Sequence, residues 1–198
     1  MAVPLPPAVL ERVGSLVEAL RRHDWPVRWS DPNAAHITLH FIGEVPPERA
    51  ELLRLALPGS VADQQVFNLR TAEPSVFPNL RRPRVLWLGL HGPTHRLETL
   101  HGAVTETLQE LDFPPDPKAF HPHITLGRVR DAQNTPTRHL PEAIRQAFEE
   151  EAARNREPIG IPVDEIVLMC SILGRDGARH EPVVRCPLMK PRKSEPGS

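Results

Sequence analysis

The chain has 198 residues, of which 39% are hydrophobic, and its formal net charge is −1. This length is sufficient for one domain with an apolar core, and the charge excludes a strongly basic nucleic-acid-binding protein while leaving a local basic cleft open. The sequence shows no amino-terminal signal pattern and no apolar run of membrane-spanning length, so we expect a cytoplasmic protein. Cys170 and Cys186 are expected to be free thiols, because the predicted hairpin pairs Cys170 near Glu181 instead.

The first half of the chain alternates helices that begin at proline with short strands. Proline is tolerated in the first turn of a helix, and apolar residues recur at helical spacing after Pro7. The predicted elements are a helix from Pro6, a strand at Val27–Trp29, a strand from His36 to near Gly43, a helix from Pro46 to Pro58, and strand pieces at 65–70 and 75–77.

The residue pattern in the second half of the chain predicts two more helices, a central strand and a carboxy-terminal hairpin. Residues 85–90 are nearly all apolar, which is typical of a strand covered on both faces. The other predicted elements are a helix over 94–111, a strand from His123 to near Val129, a surface helix over 141–156, and strands over 163–173 and 182–188 around the turn 174–177. Loops are expected at 113–117 and 131–137, and a flexible polar tail over 190–198.

The order of these elements predicts an α+β fold, since helices stand between strands without a repeated βαβ series. The tetrapeptide His-Ile-Thr-Leu occurs twice, at 36–39 and at 123–126, and each copy is followed by a helix and more strands. We therefore expect a single bilobal domain over 1–189, in which two mostly antiparallel sheets face a central cleft and the helices lie outside.

The duplicated tetrapeptide is also the strongest functional signal. Alternate side chains of a strand point to one face, so His36 shares a face with Thr38, and His123 shares one with Thr125. The intervening isoleucines and the leucines face a core. A single His-x-Thr strand is common on half-exposed sheets, but stability does not require the same polar pair twice. The duplication therefore favours a function.

Two imidazoles and two hydroxyls around one cleft suit acid–base chemistry on an anion. Imidazole titrates near neutral pH, so one histidine can be neutral while the other is protonated. Threonine hydroxyls donate hydrogen bonds to oxygens that gain charge in a transition state. Histidines on opposite sides of a phosphorus atom would suit in-line displacement. The spacing treats the two histidines symmetrically and leaves their roles open.

The two motifs resemble those of the 2H phosphoesterase superfamily, and within it the chain is similar to the bacterial and archaeal RNA 2′,3′-cyclic phosphodiesterases, also called 2′-5′ RNA ligases. The chain departs from that pattern at Met1-Ala2-Val3, which replaces a fuller apolar strand, and at His180, where the family often has an aromatic residue. The resembling stretches run in family order over nearly the whole chain: 36–44, 84–89, 120–128, and the hairpin with Ser171, Gly177 and Pro187-Leu188.

The resemblance implies a pseudo-twofold fold and a metal-independent, cofactor-free opening of a 2′,3′-cyclic phosphate to a 2′-phosphate. By analogy, His36 would donate a proton to the 3′ oxygen and His123 would activate water. Thr38 and Thr125 would hold the phosphate oxygens. The same site could ligate RNA when a 5′-hydroxyl replaces water. The expected partners are RNA ends with a cyclic phosphate or cyclic nucleotides, and the expected state is a monomer that binds no membrane.

Arg128 is a further candidate for phosphate binding. Its odd spacing from His123 predicts the opposite face of the strand, unless a bulge at Gly127 re-aims it, and the family resemblance favours the phosphate. A second basic feature is the cluster before the central strand, which could contact an RNA backbone and consists of Arg81, Arg82 and Arg84.

Four residues that flank the motifs are candidates for substrate binding. His40 and His121 share the motif face by even spacing, although exposed polar positions on a strand would look the same. Phe41 and Phe120 could stack on a base, although the odd spacing of Phe41 from His36 favours a core position.

Two other functions stay open from the sequence alone. The histidines of 121–123, and His36 with His40, could supply imidazole ligands to a catalytic metal, although no Asp, Glu or Cys lies inside either motif. The same cleft could also bind RNA ends without catalysis.

Overall fold

The structure is a computed structural model that describes residues 1–114, 116, 119–130, 140–154, 157–174 and 177–190. The helices in this part of the chain are α1 (Pro7–Arg21), α2 (Pro47–Ser60), α3 (His95–Glu110) and α4 (Leu140–Arg154). The strands are β1 (Ala2–Pro4), β2 (Val27–Trp29), β3 (His36–Thr38), β4 (Phe67–Phe77), β5 (Val85–His91), β6 (Ile124–Val129), β7 (Gly160–Val163), β8 (Glu165–Gly174) and β9 (Gly177–Pro187).

One antiparallel sheet contains all of these strands. Its order is β7-β4-β5-β6-β3-β1-β8-β9, and β2 pairs with β6 beside this path. The α+β class with mainly antiparallel pairing is confirmed. The two expected sheets are the two halves of this one sheet, because the motif strands β3 and β6 are hydrogen-bonded neighbours at its centre.

The apolar residues of the motifs belong to the core of the protein. The leucines and isoleucines of both tetrapeptides are at most 2% exposed, and they join the apolar stripes of the helices in one cluster. All five apolar residues of the predicted stripe on α1 are buried: Val9, Val13, Leu16, Val17 and Leu20. Alternate residues of a strand point to opposite faces of a sheet, so the histidines and threonines of the motifs point to the face opposite the core.

Several predicted boundaries differ from the structure, including the second hairpin strand, which begins at Gly177 rather than at residue 182. Strand β3 ends at Thr38 rather than near Gly43, because the next two N–H groups bond the Met1 carbonyl oxygen instead of continuing a ladder. The helix α2 continues past Pro58 and ends at Ser60. The missing N–H of Pro58 costs little helical hydrogen bonding there, because it lies in the last turn. The pieces at 65–70 and 75–77 form one strand, β4, with a register shift between Thr71 and Pro74.

The carboxy-terminal hairpin follows the predicted register. Cys170 is opposite Glu181, as expected from the turn centre, and both cysteines are free. Strand β7 precedes the hairpin and was not predicted. No helix in the described ranges has the length and apolar character that a membrane crossing requires. Some of the predicted segments lie outside the described residues: the loop 131–137, parts of the loop 113–117, the helix end 155–156, the turn residues 175–176 and the tail 191–198.

Candidate active site

The two motif strands place their polar residues at the corners of one small site. The motif isoleucines are directly opposite one another in the antiparallel register of β3 and β6, and both are fully buried. When this register is continued by one residue in each direction, His36 is opposite Thr125 and Thr38 is opposite His123. The two histidines therefore occupy diagonal corners, roughly 7–8 Å apart by backbone position. Each histidine has the threonine of the other motif beside it.

Both imidazole rings are oriented by the same kind of backbone hydrogen bond. His36 Nδ1 lies 2.9 Å from the carbonyl oxygen of Ala34, and His123 Nδ1 lies 2.6 Å from that of His121. A carbonyl oxygen only accepts, so Nδ1 of each ring carries a proton and donates it. Nε2 of each ring is therefore the atom available for proton transfer at the site.

The surroundings of His36 disfavour its protonated form. Burial is the largest cause of its lowered pKa, the hydrogen bond to Ala34 opposes this effect, and positive charge on His180, the Met1 amino group and His123 lowers the pKa further. The His180 ring meets the His36 ring edge-on, with centroids 5.1 Å apart. Each of these charged neighbours is itself titratable.

His123 differs because a permanent cation acts on it. Burial is again the largest cause of its lowered pKa, the hydrogen bond to His121 opposes this effect, and the charges of Arg128 and then His121 lower the pKa further. A guanidinium stays charged throughout the physiological range, so it always favours neutral imidazole. Phe77 packs edge-on against the ring at 5.1 Å between centroids. The two histidines are thus equivalent in backbone position but not in electrostatics.

A β-bulge turns Arg128 toward the site. Thr125 and Gly127 pair with consecutive residues of β5, so Leu126 between them is an extra residue on β6. An extra residue reverses the alternation of side chains, and it puts Arg128 on the face of Thr125 instead of the core face. Arg128 is exposed there. The bulge that the sequence suggested beside Gly127 is therefore present.

His40 lies away from this site, and its predicted substrate contact is corrected. Because β3 ends at Thr38, even spacing no longer sets the direction of His40, which is 3% exposed. Its ring stacks on His101 of α3 with centroids 5.8 Å apart, and Thr105 Oγ1 lies 3.5 Å from its Nδ1. Phe120 stacks on His101 at 4.4 Å, so this ring is held in packing rather than presented to a base.

The remaining sequence candidates lie at the surface. His121 is exposed, and its ring is 5.9 Å from that of Phe77. Phe41 is 74% exposed beyond the end of β3, so the core position favoured by its spacing is wrong and the ring is accessible to a base. Asn79 Oδ1 accepts two backbone N–H groups and orders the loop between β4 and β5. The arginines of this loop are all exposed: Arg81, Arg82 and Arg84.

Three further rings border the motif histidines and were not predicted as site residues. Phe77 and Trp87 stack at 4.7 Å, and Trp87 is directly opposite Thr125 on the site face. His180 contacts the other motif, and its Nδ1 lies 3.0 Å from Ser171 Oγ. These rings reach the site through strand pairing, which spacing along the chain does not reveal. The one available signal was the family resemblance, which marked position 180 as usually aromatic.

Of the two histidine pairs considered as metal ligands, His36 and His40 are not brought together, while His121 and His123 are neighbours with no third ligand in the described residues. His40 is buried beneath α3, whereas His36 faces the site. Among the described residues, no group of three or more His, Cys, Asp and Glu side chains has the arrangement of a metal site. The metal-ligand hypothesis therefore has no donor set in this part of the chain.

Comparisons with a family model, with relatives and with solved structures each match most of the length of this chain. The model of the 2′-5′ RNA ligase superfamily matches residues 5–172. The RNA 2′,3′-cyclic phosphodiesterase of Aeropyrum pernix is 33% identical over 168 residues, which cover 84% of this chain and 89% of the relative. That of Thermotoga maritima is 25% identical over 186 residues, which cover 94% and 92%. The crystal structure of Escherichia coli LigT complexed with 3′-AMP matches with a TM-score of 0.67 and 26% identity, over 94% of this chain and 95% of that one.

Proposed function

This chain belongs to the 2′-5′ RNA ligase superfamily, and we propose that it is an RNA 2′,3′-cyclic phosphodiesterase that opens a terminal cyclic phosphate to a 2′-phosphate. The observation that carries the proposal is the diagonal pairing of the two His-x-Thr strands in the β3–β6 register. Two oriented imidazoles then flank a space about as wide as one phosphate, which is the requirement for concerted acid and base catalysis.

The proposed reaction is an in-line displacement at phosphorus. His123 Nε2 takes a proton from water, and the water oxygen forms the new bond to phosphorus on its side of the site. The bond from phosphorus to the 3′ oxygen breaks on the opposite side, and His36 Nε2 gives its proton to that oxygen. The product carries a 2′-phosphate and a free 3′-hydroxyl, and proton exchange with solvent resets both rings.

The electrostatic difference between the rings supports this assignment of roles. A general base must be neutral when substrate arrives, and the fixed charge of Arg128 favours neutral His123. A general acid must be protonated, and the charges that oppose protonation of His36 all belong to titratable groups. An incoming phosphate anion also raises the proton affinity of both rings, which matters most for the acid.

The charge that grows on the non-bridging oxygens needs donors beside the phosphorus. Thr38 and Thr125 stand at the other two corners of the site, and their hydroxyls donate there without adding charge. Arg128, turned to the same face by the bulge, supplies a charge-assisted donor. If a 5′-hydroxyl of RNA replaces water, the same groups catalyse 2′-5′ ligation. We also propose that the protein acts as a monomer in the cytoplasm, with which its free cysteines agree.

Alanine substitution of either histidine tests the function. With a nucleoside 2′,3′-cyclic phosphate as substrate, His36→Ala and His123→Ala should each lower kcat by about 10²–10⁴-fold, because each removes one proton-transfer group. His91→Ala removes an exposed imidazole at the end of β5 and should keep turnover within about twofold. Turnover like the wild type in either motif variant would reject the proposal.

The same preparation separates the two alternatives. Activity that survives exhaustive chelation argues against a metal hydrolase. Tight binding of a cyclic-phosphate oligonucleotide without product after long incubation would instead indicate an RNA-end binding module. We expect full activity after chelation, and a product with a 2′-phosphate and a free 3′-hydroxyl.

A further inference from the structure

We propose that Arg28 and Arg128 form a second anion subsite, which binds the phosphodiester on the 5′ side of the nucleotide that carries the cyclic phosphate. The inference rests on the proposed function and extends it, since it predicts that the enzyme distinguishes a chain end from a free cyclic nucleotide. Its basis is the position of β2, a short strand that the catalytic steps do not use.

Strand β2 extends the face of the site beyond the motif strands. Arg28 is directly opposite Arg128 in the antiparallel register of β2 and β6. On its other side, Arg128 is opposite Val85 of β5. Directly opposed side chains point to the same face of a sheet, with Cβ atoms roughly 4.5–5.5 Å apart. The two arginine side chains therefore leave the sheet next to one another on one face, which brings both guanidinium groups within reach of a single anion.

Close packing around Gly127 fixes which face that is. A Cβ atom at Gly127 would lie 2.7 Å from Val27 Cγ1 and 3.1 Å from Trp29 Cε3, so these two side chains of β2 lie over the core-facing side of β6. Val27 is only 5% exposed, as expected for that side. Arg28 lies between them in a strand and must point the other way, toward the face where the bulge directs Arg128.

The placement of these two arginines is electrostatically unfavourable. Like charges directly opposite one another destabilise a sheet. Within the described ranges, neither Arg28 nor Arg128 has an acidic partner within ion-pair distance, and both are exposed. An anion between the guanidinium groups would remove this repulsion and accept charge-assisted hydrogen bonds from both. Such an uncompensated local conflict is expected where a ligand supplies the compensation.

The chemistry of the substrate determines which anion fits. Arg128 acts on His123, so it borders the cyclic phosphate, while Arg28 lies one strand further away on the same face. An RNA chain that ends in a 2′,3′-cyclic phosphate has no nucleotide beyond its 3′ end. The next phosphate is therefore the one attached to the 5′ oxygen of the same nucleoside. A free nucleoside cyclic phosphate lacks this group and leaves Arg28 unoccupied.

Two small substrates that differ by one phosphate test the subsite. They are a nucleoside 2′,3′-cyclic phosphate and the same compound with a 5′-phosphate. We expect the wild-type kcat/KM to be about tenfold higher for the 5′-phosphorylated substrate, as is typical of one charge-assisted contact. Arg28→Gln should remove most of this advantage, leaving less than about threefold, and Arg28→Lys should retain part of it because lysine keeps the charge but not the planar fork.

Arg54→Gln is the matched control. Arg54 makes an exposed ion pair with Glu51 on α2, so its loss changes the net charge equally without touching the site, and the tenfold advantage should persist. Equal turnover of the two substrates by the wild type would overturn the inference, and so would an advantage that persists in Arg28→Gln. If neither substrate is hydrolysed by the wild type, the proposed function itself fails.

Inhibition of the wild type gives a measurement that needs no variant. The two candidate products are a nucleoside 2′-phosphate and a nucleoside 2′,5′-bisphosphate. The bisphosphate should inhibit more strongly by about tenfold at low salt, and added salt should reduce the difference because the contact is ionic. Equal inhibition constants at low salt would contradict a second anion subsite even if Arg28→Gln failed to fold.

Discussion

Among single residues, the two motif histidines have the same local geometry and different neighbours. Each donates from Nδ1 to the carbonyl oxygen two residues before it. The permanent charge of Arg128 acts on His123, whereas His36 is flanked by the titratable ring of His180. This difference in neighbours supports the proposed assignment of His123 as the base and His36 as the acid.

Replacement of Arg128 should change both the rate and the acidic limb of the pH profile. Arg128→Gln removes a charge that lowers the pKa of His123, so this pKa rises. Because the base must be neutral, the acidic limb of kcat/KM moves to higher pH. Loss of a charge-assisted contact worth roughly 1.5–3 kcal/mol also lowers kcat/KM by about 10- to 150-fold. A pH series of initial rates checks both effects, and an unmoved acidic limb would assign the base elsewhere.

Replacement of His180 should move the other limb. His180→Phe keeps a ring against His36 but removes a charge that lowers the pKa of His36, so this pKa rises. The acid must be protonated, and activity therefore persists to higher pH on the alkaline side while the acidic limb stays in place. Phe77, the ring against the other histidine, provides the comparison. In Phe77→Leu no charge is lost, and neither limb should move.

At the scale of elements, the bulge in β6 connects the sheet to the site. One extra residue, Leu126, keeps its own side chain in the core while Arg128 turns to the face of the proposed site. Strand β2 then packs so closely on β6 that there is no room for a side chain at Gly127. The position of β2 beside Arg128 therefore depends on the glycine at 127.

A side chain at Gly127 should affect this element before it affects the catalytic histidines. In Gly127→Val, the Cβ atom would lie 2.7 Å from Val27 Cγ1 and 3.1 Å from the Arg28 carbonyl oxygen, so β2 must move away. We expect a loss of about 1–3 kcal/mol in the free energy of unfolding, measured by urea titration. The 5′-phosphate advantage should also fall, since Arg28 moves with β2. Gly102→Ala, on α3 with open space around it, is the control and should not destabilise the protein.

In the protein as a whole, the proposed active site lies where the two halves of the sheet meet. Strands β3 and β6 are neighbours there, and their buried isoleucines belong to the single apolar cluster. One histidine comes from each half. Any separation of the halves would pull the two motif histidines apart, so the geometry of the proposed site and the global stability depend on the same strand pair.

Truncation of one central isoleucine should therefore weaken the protein as one unit. Ile124 is fully buried, and Ile124→Ala is expected to cost roughly 2–5 kcal/mol in the free energy of unfolding. Tryptophan fluorescence reports mainly on the half with β2 and β5, where Trp29 and Trp87 lie, whereas far-ultraviolet circular dichroism reports on the whole chain. Both signals should shift to the same lower urea midpoint. Two separate transitions would indicate that the halves fold independently.

The sequence alone was enough for most of the elements and for the prediction of four central site residues. Helical periodicity identified α1 with its full buried stripe, and the turn glycines fixed the hairpin so that Cys170 faces Glu181. Alternation along a strand is a local property, so it also separated the polar from the apolar face of both motifs. The identical duplication then indicated one shared site.

The surroundings of that site, in contrast, follow from the three-dimensional pairing of the strands. The neighbours of a side chain across a sheet depend on strand order and register, which are set by non-local pairing and cannot be read from spacing along the chain. Register brought Arg28 beside Arg128, the bulge set the direction of Arg128, and the early end of β3 sent His40 into the core. The sequence therefore determined which groups are candidates for the proposed chemistry, and the pairing of strands determined which charged side chains surround each histidine.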